Sequence, residues 1–142
     1  MRGLALSGGD LVVGQGGYTT LTGGARIRQD LAMAMAEPYG DDVWNPQWGS
    51  VLPNYIGAPL DDQLQLLVRS EVVRVLQQYV AAQAADIATD ALSGSRARYS
   101  YGDVVASVLS VDTAVSYDSL QVSVALQTQA GEQVALVRTV DL

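Results

Sequence analysis

LQVSVALQ (residues 120–127) alternates apolar and polar side chains without a break. Successive residues of a strand point to opposite faces. Leu120, Val122, Val124 and Leu126 therefore line one side, with Gln121, Ser123, Ala125 and Gln127 on the other. This is the clearest strand signal in the chain. Downstream, Ala130-Gly131-Glu132 reads as a turn, and Val134-Ala135-Leu136-Val137 returns as a hairpin partner. Upstream, Val105, Leu109, Val111, Val115 and Tyr117 are expected on one face of a further strand. The C-terminal part thus reads as an antiparallel β-meander.

Before it lies a long helical pattern. Asp61-Asp62 opens it, placing two acids where the positive end of the helix dipole favours them. Leu64, Val68, Val72, Val75, Leu76, Tyr79, Val80, Ala84 and Ile87 give a broad apolar face. The pattern runs to about Leu92, and Ser93-Gly94-Ser95 ends it. Ala81, Ala82, Ala84 and Ala85 thin the second half and would let a neighbour approach closely. The connector PYGDDVWNPQWGSVLPNYIGAPL (38–60) holds every proline and both tryptophans of the chain. Rings this large predict a loop packed down on the domain, with a short helix from Pro46 towards Tyr55 capped by Asn45. An earlier helix is expected from Thr22, as N-cap, to Glu37, where Pro38 disfavours helix. Ile27, Leu31 and Met35 form its apolar stripe. Residues 1–22 read as β structure. Leu11-Val12-Val13 and Tyr18-Thr19-Thr20-Leu21 would pair as a hairpin between glycine-rich turns. The predicted class is α+β: an N-terminal β-hairpin, two main helices (one long) and a C-terminal antiparallel sheet. All of it is expected in a single domain, 1–142.

Composition narrows the function. The chain has no Cys and no His, and its eight basic residues are all Arg. That excludes a disulfide framework, a thiolate zinc site, a cysteine nucleophile and a Ser-His-Asp triad. Without lysine there is no P-loop lysine and no Schiff base. A net charge of −7 argues against a nucleic-acid partner, since phosphate neutralisation needs a basic surface. No apolar run approaches the ~20 residues that span a bilayer. The first residues, MRGLALSGGD, lack the apolar region of a secretory signal.

Few side chains invite chemistry. Glu37 with Asp41 or Asp42 is the one acid pairing near an aromatic-rich loop, and no glycosidase spacing is met. It reads better as a helix end and a polar turn. Asp61-Asp62 supplies too few oxygens for a calcium or magnesium site and reads as a cap. The glycines at 8–9, 14, 16–17 and 23–24 make turns, because no GxGxxG opens a helix here. Neither a catalytic residue, a metal ligand nor a cofactor site is expected. Trp44, Trp48 and Tyr55 could form a sugar platform, but such rings more often serve as core or interface anchors.

Residues 23–67 carry a resemblance. GARIRQDLAMAM, EPYGDDVWNPQWGSVLPNYIG and APLDDQLQLLVRSEVVRVLQQY resemble the baseplate wedge and sheath-initiator family of contractile tails. That family includes the wedge protein of T-even phages and its W-like and TssE-like relatives. The matching features are Ile27-Arg28-Gln29, Gly40-Asp41, Pro46-Gln47-Trp48-Gly49-Ser50 and Asp61-Asp62, in that order. Gly9-Asp10-Leu11, Gly17-Tyr18 and the closing alternating hairpin fit as well, so the likeness covers most of the chain. One departure stands out. Many members carry Glu-Pro-Arg after an aromatic residue late in the long helix; aligned on Tyr79, this chain has Val80-Ala81-Ala82. Contacts at that end are not carried over. Some members have been labelled lysozyme, but no credible acid and nucleophile pair is present here.

The resemblance implies a structural subunit of the virion tail baseplate, assembled in the host cytoplasm. It implies about six copies per particle, linking larger wedge proteins and tail hub or tube components to the first sheath ring and helping initiate sheath assembly. Sheath subunits join by strand exchange, so the strands at 120–126 and 134–140 are candidates for β-augmentation. The candidate interface residues are Trp44, Pro46, Trp48, Gly49, Tyr79, Leu120, Val122, Val124, Val134 and Leu136. Two alternatives are a small binding module using Trp44 and Trp48, and a cell-wall hydrolase using Glu37.

Overall fold

A computed structural model describes residues 1–141. Its N-terminal part is a cloverleaf rather than the single hairpin expected. Strand β1 (Gly3–Leu4) pairs with β6 (Thr20–Leu21), β2 (Leu6–Ser7) with β3 (Asp10–Leu11), and β4 (Val13–Gly14) with β5 (Gly17–Tyr18). The three pairs meet in a ring of backbone bonds. The Ala5 N–H donates to Thr19 O at 2.8 Å, Val12 to Ala5 at 2.9 Å and Thr19 to Val12 at 2.9 Å. Val13 pairs with Tyr18 as the expected hairpin requires, but Leu11 pairs with Leu6. Gly8 and Gly9 both have positive φ, which a two-residue turn joining β2 to β3 requires and glycine adopts cheaply.

Helix α1 (Gly23–Ala36) buries Ile27, Leu31, Ala34 and Met35. Thr22 occupies the N-cap position, but its side chain makes no capping bond. The Gly23 N–H instead donates to Asp103 Oδ1 at 2.7 Å, so the cap comes from a distant segment. Helix α2 (Asp62–Ser93) has 32 residues, about 48 Å at 1.5 Å per residue. Asp61 caps it, accepting from the Leu64 N–H at 2.7 Å, and Gly94 ends it in the left-handed region. Its apolar face is buried from Leu64 to Tyr79 and then stops. Ala84 and Ile87, expected inside, are exposed, and Leu92 is 90% exposed. Gln83 and Asp90, both polar, are the buried positions of that second half.

Strands β7 (Val105–Ser116), β8 (Ser119–Thr128) and β9 (Gln133–Asp141) form an antiparallel sheet in the order β7-β8-β9. Val124 faces Val111 on one neighbour and Leu136 on the other. Helix α1 lies against β9 and α2 against β7, and the core sits between the helices and one sheet face. Two bulges, at Val105/Ser107 and Val108/Ser110, break the alternation of β7. Leu109 falls in the second bulge and is exposed; Val115, opposite Leu120, keeps the face of Val111 as expected but is exposed, and Tyr117 lies beyond the strand, in the turn to β8. In the connector only Leu52–Tyr55 forms a 3-10 turn, and no helix begins at Pro46. The backbone there is committed elsewhere: Ser50 donates to Glu37 O at 2.8 Å, and Tyr39 to Ser50 O at 2.9 Å.

Candidate protein interface

The connector is held down by one ion pair on α2. Glu71 and Arg74 lie three residues apart and therefore share a helix face. Arg74 Nη2 donates to Glu71 Oε1 at 2.7 Å and to Gly49 O at 2.9 Å, and Nη1 donates to Gln78 at 2.8 Å. Glu71 Oε1 accepts from the Val51 N–H at 2.9 Å, and Arg74 also lies over the Tyr39 ring at 4.8 Å. Burial works to raise the Glu71 carboxyl, but hydrogen bonds from Arg74 and Val51 and the Arg74 charge bring it below its ordinary value. The same pair holds the Arg74 guanidinium above its usual value. Thus the ion pair holds the Gly49 carbonyl and the Val51 N–H, and Ser50 between them is held by its backbone bonds with Glu37 and Tyr39.

Clamping from below leaves the tip of the loop outside. Trp44 is 95% exposed, Val43 is 85% exposed, and Pro46 is also on the surface. The Trp44 N–H donates to Asp42 Oδ1 at 2.9 Å, which shapes the turn beneath the ring. Trp48 is half-buried; its indole N–H donates to Glu37 Oε2 at 3.1 Å. That carboxylate is therefore engaged within the loop. Gly49 is buried with φ +93°, closely facing the Glu37 and Pro38 carbonyls. Between α1, this loop and the Ala81-Ala82 stretch of α2 lies a groove of about 340 Å³, lined by Trp48, Val75, Gln78 and Tyr79.

Several residues expected at the interface lie inside. Tyr79 is buried, and its hydroxyl donates to Asp30 Oδ2 at 2.9 Å. Asp30 also pairs with Arg26 at 3.1 Å, so these three residues join α1 to α2. Burial raises the Asp30 carboxyl, partly offset by the Arg26 charge and the Tyr79 hydroxyl. Burial and the facing Asp30 also push the Tyr79 phenol far up, which keeps it a donor. Leu120, Val122, Val124, Val134 and Leu136 are all buried core side chains and cannot be contact side chains. Strand β8 cannot accept a further strand either, because both its edges are paired. What remains open is backbone. Among the described residues, β7 and β9 each pair on one side alone, so the sheet ends on two edges.

Three features escaped the sequence reading. Tyr117, at the β7–β8 turn, is fully exposed with φ +50°, a position where Asn or Gly is usual. Gln83 is buried and acts like a strand partner: its Nε2 donates to Asp103 O at 2.8 Å, and its Oε1 accepts from the Val105 N–H at 3.1 Å. Arg138 faces inward from β9, opposite Val122. None is signalled by periodicity alone, although Arg138 breaks the apolar series Val134, Leu136, Val140. Among the described residues, no group of three or more acidic side chains converges as a metal site. No helix among them is long and apolar enough to cross a membrane.

No protein-family model matches the chain, and no curated protein does. A solved structure does match: a candidate tail lysozyme from Geobacter sulfurreducens, 13% identical, with a TM-score of 0.58. The match covers 83% of this chain and 89% of that one. At this identity the likeness is one of fold.

Proposed function

We propose that this chain is a structural subunit of a contractile-tail baseplate rather than an enzyme. In this reading it links larger wedge proteins and the tail hub or tube to the first sheath ring, in about six copies, and helps initiate sheath assembly. The observation that carries the reading is the open-edged sheet. Strand β9 has nine residues and β7 twelve, each paired on one side. An unpaired edge of that length is a template for an incoming strand unless something covers it. The ordered segments Ile27-Arg28-Gln29, Gly40-Asp41 and Trp48-Gly49-Ser50 support the same assignment, as does the shared fold with a tail-named protein. Trp44 would then be the anchor for a wedge neighbour, since exposed aromatic rings on a fixed loop are common centres of binding energy.

The test is cryo-electron microscopy of the assembled particle. Density for the long α2 helix at the base of the tail, between wedge proteins and the first sheath ring, is the expected result. Particles without the chain refute the assignment, and Trp44 then becomes the place to seek a ligand by tryptophan fluorescence. The hydrolase reading has its own check. The wild-type chain should leave purified peptidoglycan intact; release of soluble sugar fragments by it would overturn the structural role.

A further inference from the structure

Strand β9 is an edge strand with a charge on the wrong face. Leu120, Val122, Val124 and Leu126 of β8 face Val140, Arg138, Leu136 and Val134 of β9 in turn. Three of these four β9 side chains are buried and apolar. Arg138 occupies the remaining place, so its stem enters the core side of the sheet. Its Nε is buried and has no hydrogen-bond partner among the described residues. No described acid lies within ion-pairing distance of it. Asp141 lines the same recess, but it lies an odd number of residues along the strand and so leaves from the opposite face. The recess holds about 110 Å³ between β9 and the 3-10 turn, walled by Ala36, Leu52, Pro53 and Ile56. Ile56 on its wall is 66% exposed.

A buried guanidinium N–H with no acceptor costs free energy that an apolar side chain here would not. An inward charge on an edge strand does have one physical use. It discourages indiscriminate pairing, including a second copy of the same strand, which would bring arginine towards arginine. A carboxylate from an incoming strand removes the penalty, because a charge-assisted pair fits the guanidinium fork. We infer that Arg138 is a specificity residue of the β9 edge, selecting a partner strand that presents an aspartate or glutamate on its inward side. This rests on the reading above that β9 accepts a strand, and it adds the chemistry of that strand.

The experiment uses the full chain, isotopically labelled, and capped peptides matching the nine residues of β9. The peptides alternate Val and Thr and carry Glu or Gln at the central inward position. The Glu peptide should bind roughly tenfold more tightly, the value of one added charge-assisted bond. Binding should shift the β9 amides and the Arg138 Nε–H resonance. Arg138→Met should abolish the preference, keep the residual binding, and raise the melting temperature of the free chain. Equal binding of both peptides at β9 overturns the role of Arg138 while leaving the edge reading intact. Binding of neither peptide at β9 overturns the edge reading and the inference with it.

Discussion

Replacing Gly49 with alanine is a stringent test of how the tryptophan loop is built. Gly49 has φ +93°, a conformation that costs a residue with a Cβ about 1–2 kcal/mol. A Cβ built there meets the Pro38 carbonyl oxygen at 2.7 Å, the Glu37 carbonyl oxygen at 2.8 Å and the Pro38 carbonyl carbon at 2.9 Å. All three are backbone atoms and cannot rotate aside. Relief requires the two chain segments to separate, which stretches the Ser50-to-Glu37 bond at 2.8 Å and the Tyr39-to-Ser50 bond at 2.9 Å. Each such bond contributes about 1 kcal/mol net. The expected loss is therefore about 3–4 kcal/mol. Gly57→Ala is the control: its φ is +78°, but nothing lies within 4 Å of the added carbon, so about 1–2 kcal/mol is expected. Equilibrium urea unfolding measures both, and the difference of roughly 2 kcal/mol isolates the steric part. If the two variants lose the same stability, the close approach of Gly49 to residues 37 and 38 is not what holds the loop.

Four further outcomes are expected. Gln83→Leu should cost about 2–4 kcal/mol in the same assay, because it leaves the buried Val105 N–H and Asp103 carbonyl without partners. The acid limb of stability should depend on Asp103. Its burial works to raise the carboxyl, but bonds from the Ser100 hydroxyl, the Gly23 N–H, the Met1 amine and the Ser100 N–H hold it well below the usual range. A depressed folded-state value means the contribution is complete above the unfolded value, near pH 4. It is lost as pH falls below that, so Asp103→Asn should flatten the fall in stability measured between about pH 4 and pH 2. Tyr117→Asn should raise stability by about 1 kcal/mol, since it relieves a bulky residue at φ +50° on an exposed turn; a loss in thermal unfolding would refute that. Trp44→Ala should change unfolding by less than about 0.5 kcal/mol yet reduce incorporation into particles, measured by quantitative mass spectrometry of purified tails.

The site was legible only where its residues make local patterns. Trp48-Gly49-Ser50 stood out because large rings and prolines in a connector signal packing, and the loop is indeed clamped. The clamp itself, Glu71 and Arg74, gave no signal, for nothing in a helical period says that a loop will land on it. Tyr79 and the 120–126 residues were read as contact candidates from the same apolar character that in fact places them in the core. An apolar side chain does not declare whether its neighbour belongs to its own chain or another. Only the pairing on both sides of β8 removes it as a docking edge, and only the tertiary structure leaves β9 with one paired side among the described residues.

By itself, the amino-acid sequence determined the α+β class, the start of α2 at Asp61, its end near Gly94, and the strands at 120–126 and 134–140. These follow from near-neighbour physics: caps, glycine conformations and a two-residue alternation. Tertiary structure alone decided the cloverleaf, the capping of α1 by Asp103, the early end of the α2 apolar face and the inward placement of Arg138. Each depends on which distant segment arrives alongside. The Asp103 carboxylate reaches a helix end eighty residues earlier, and the Arg138 Nε is buried without a partner among the described residues, which no local pattern encodes.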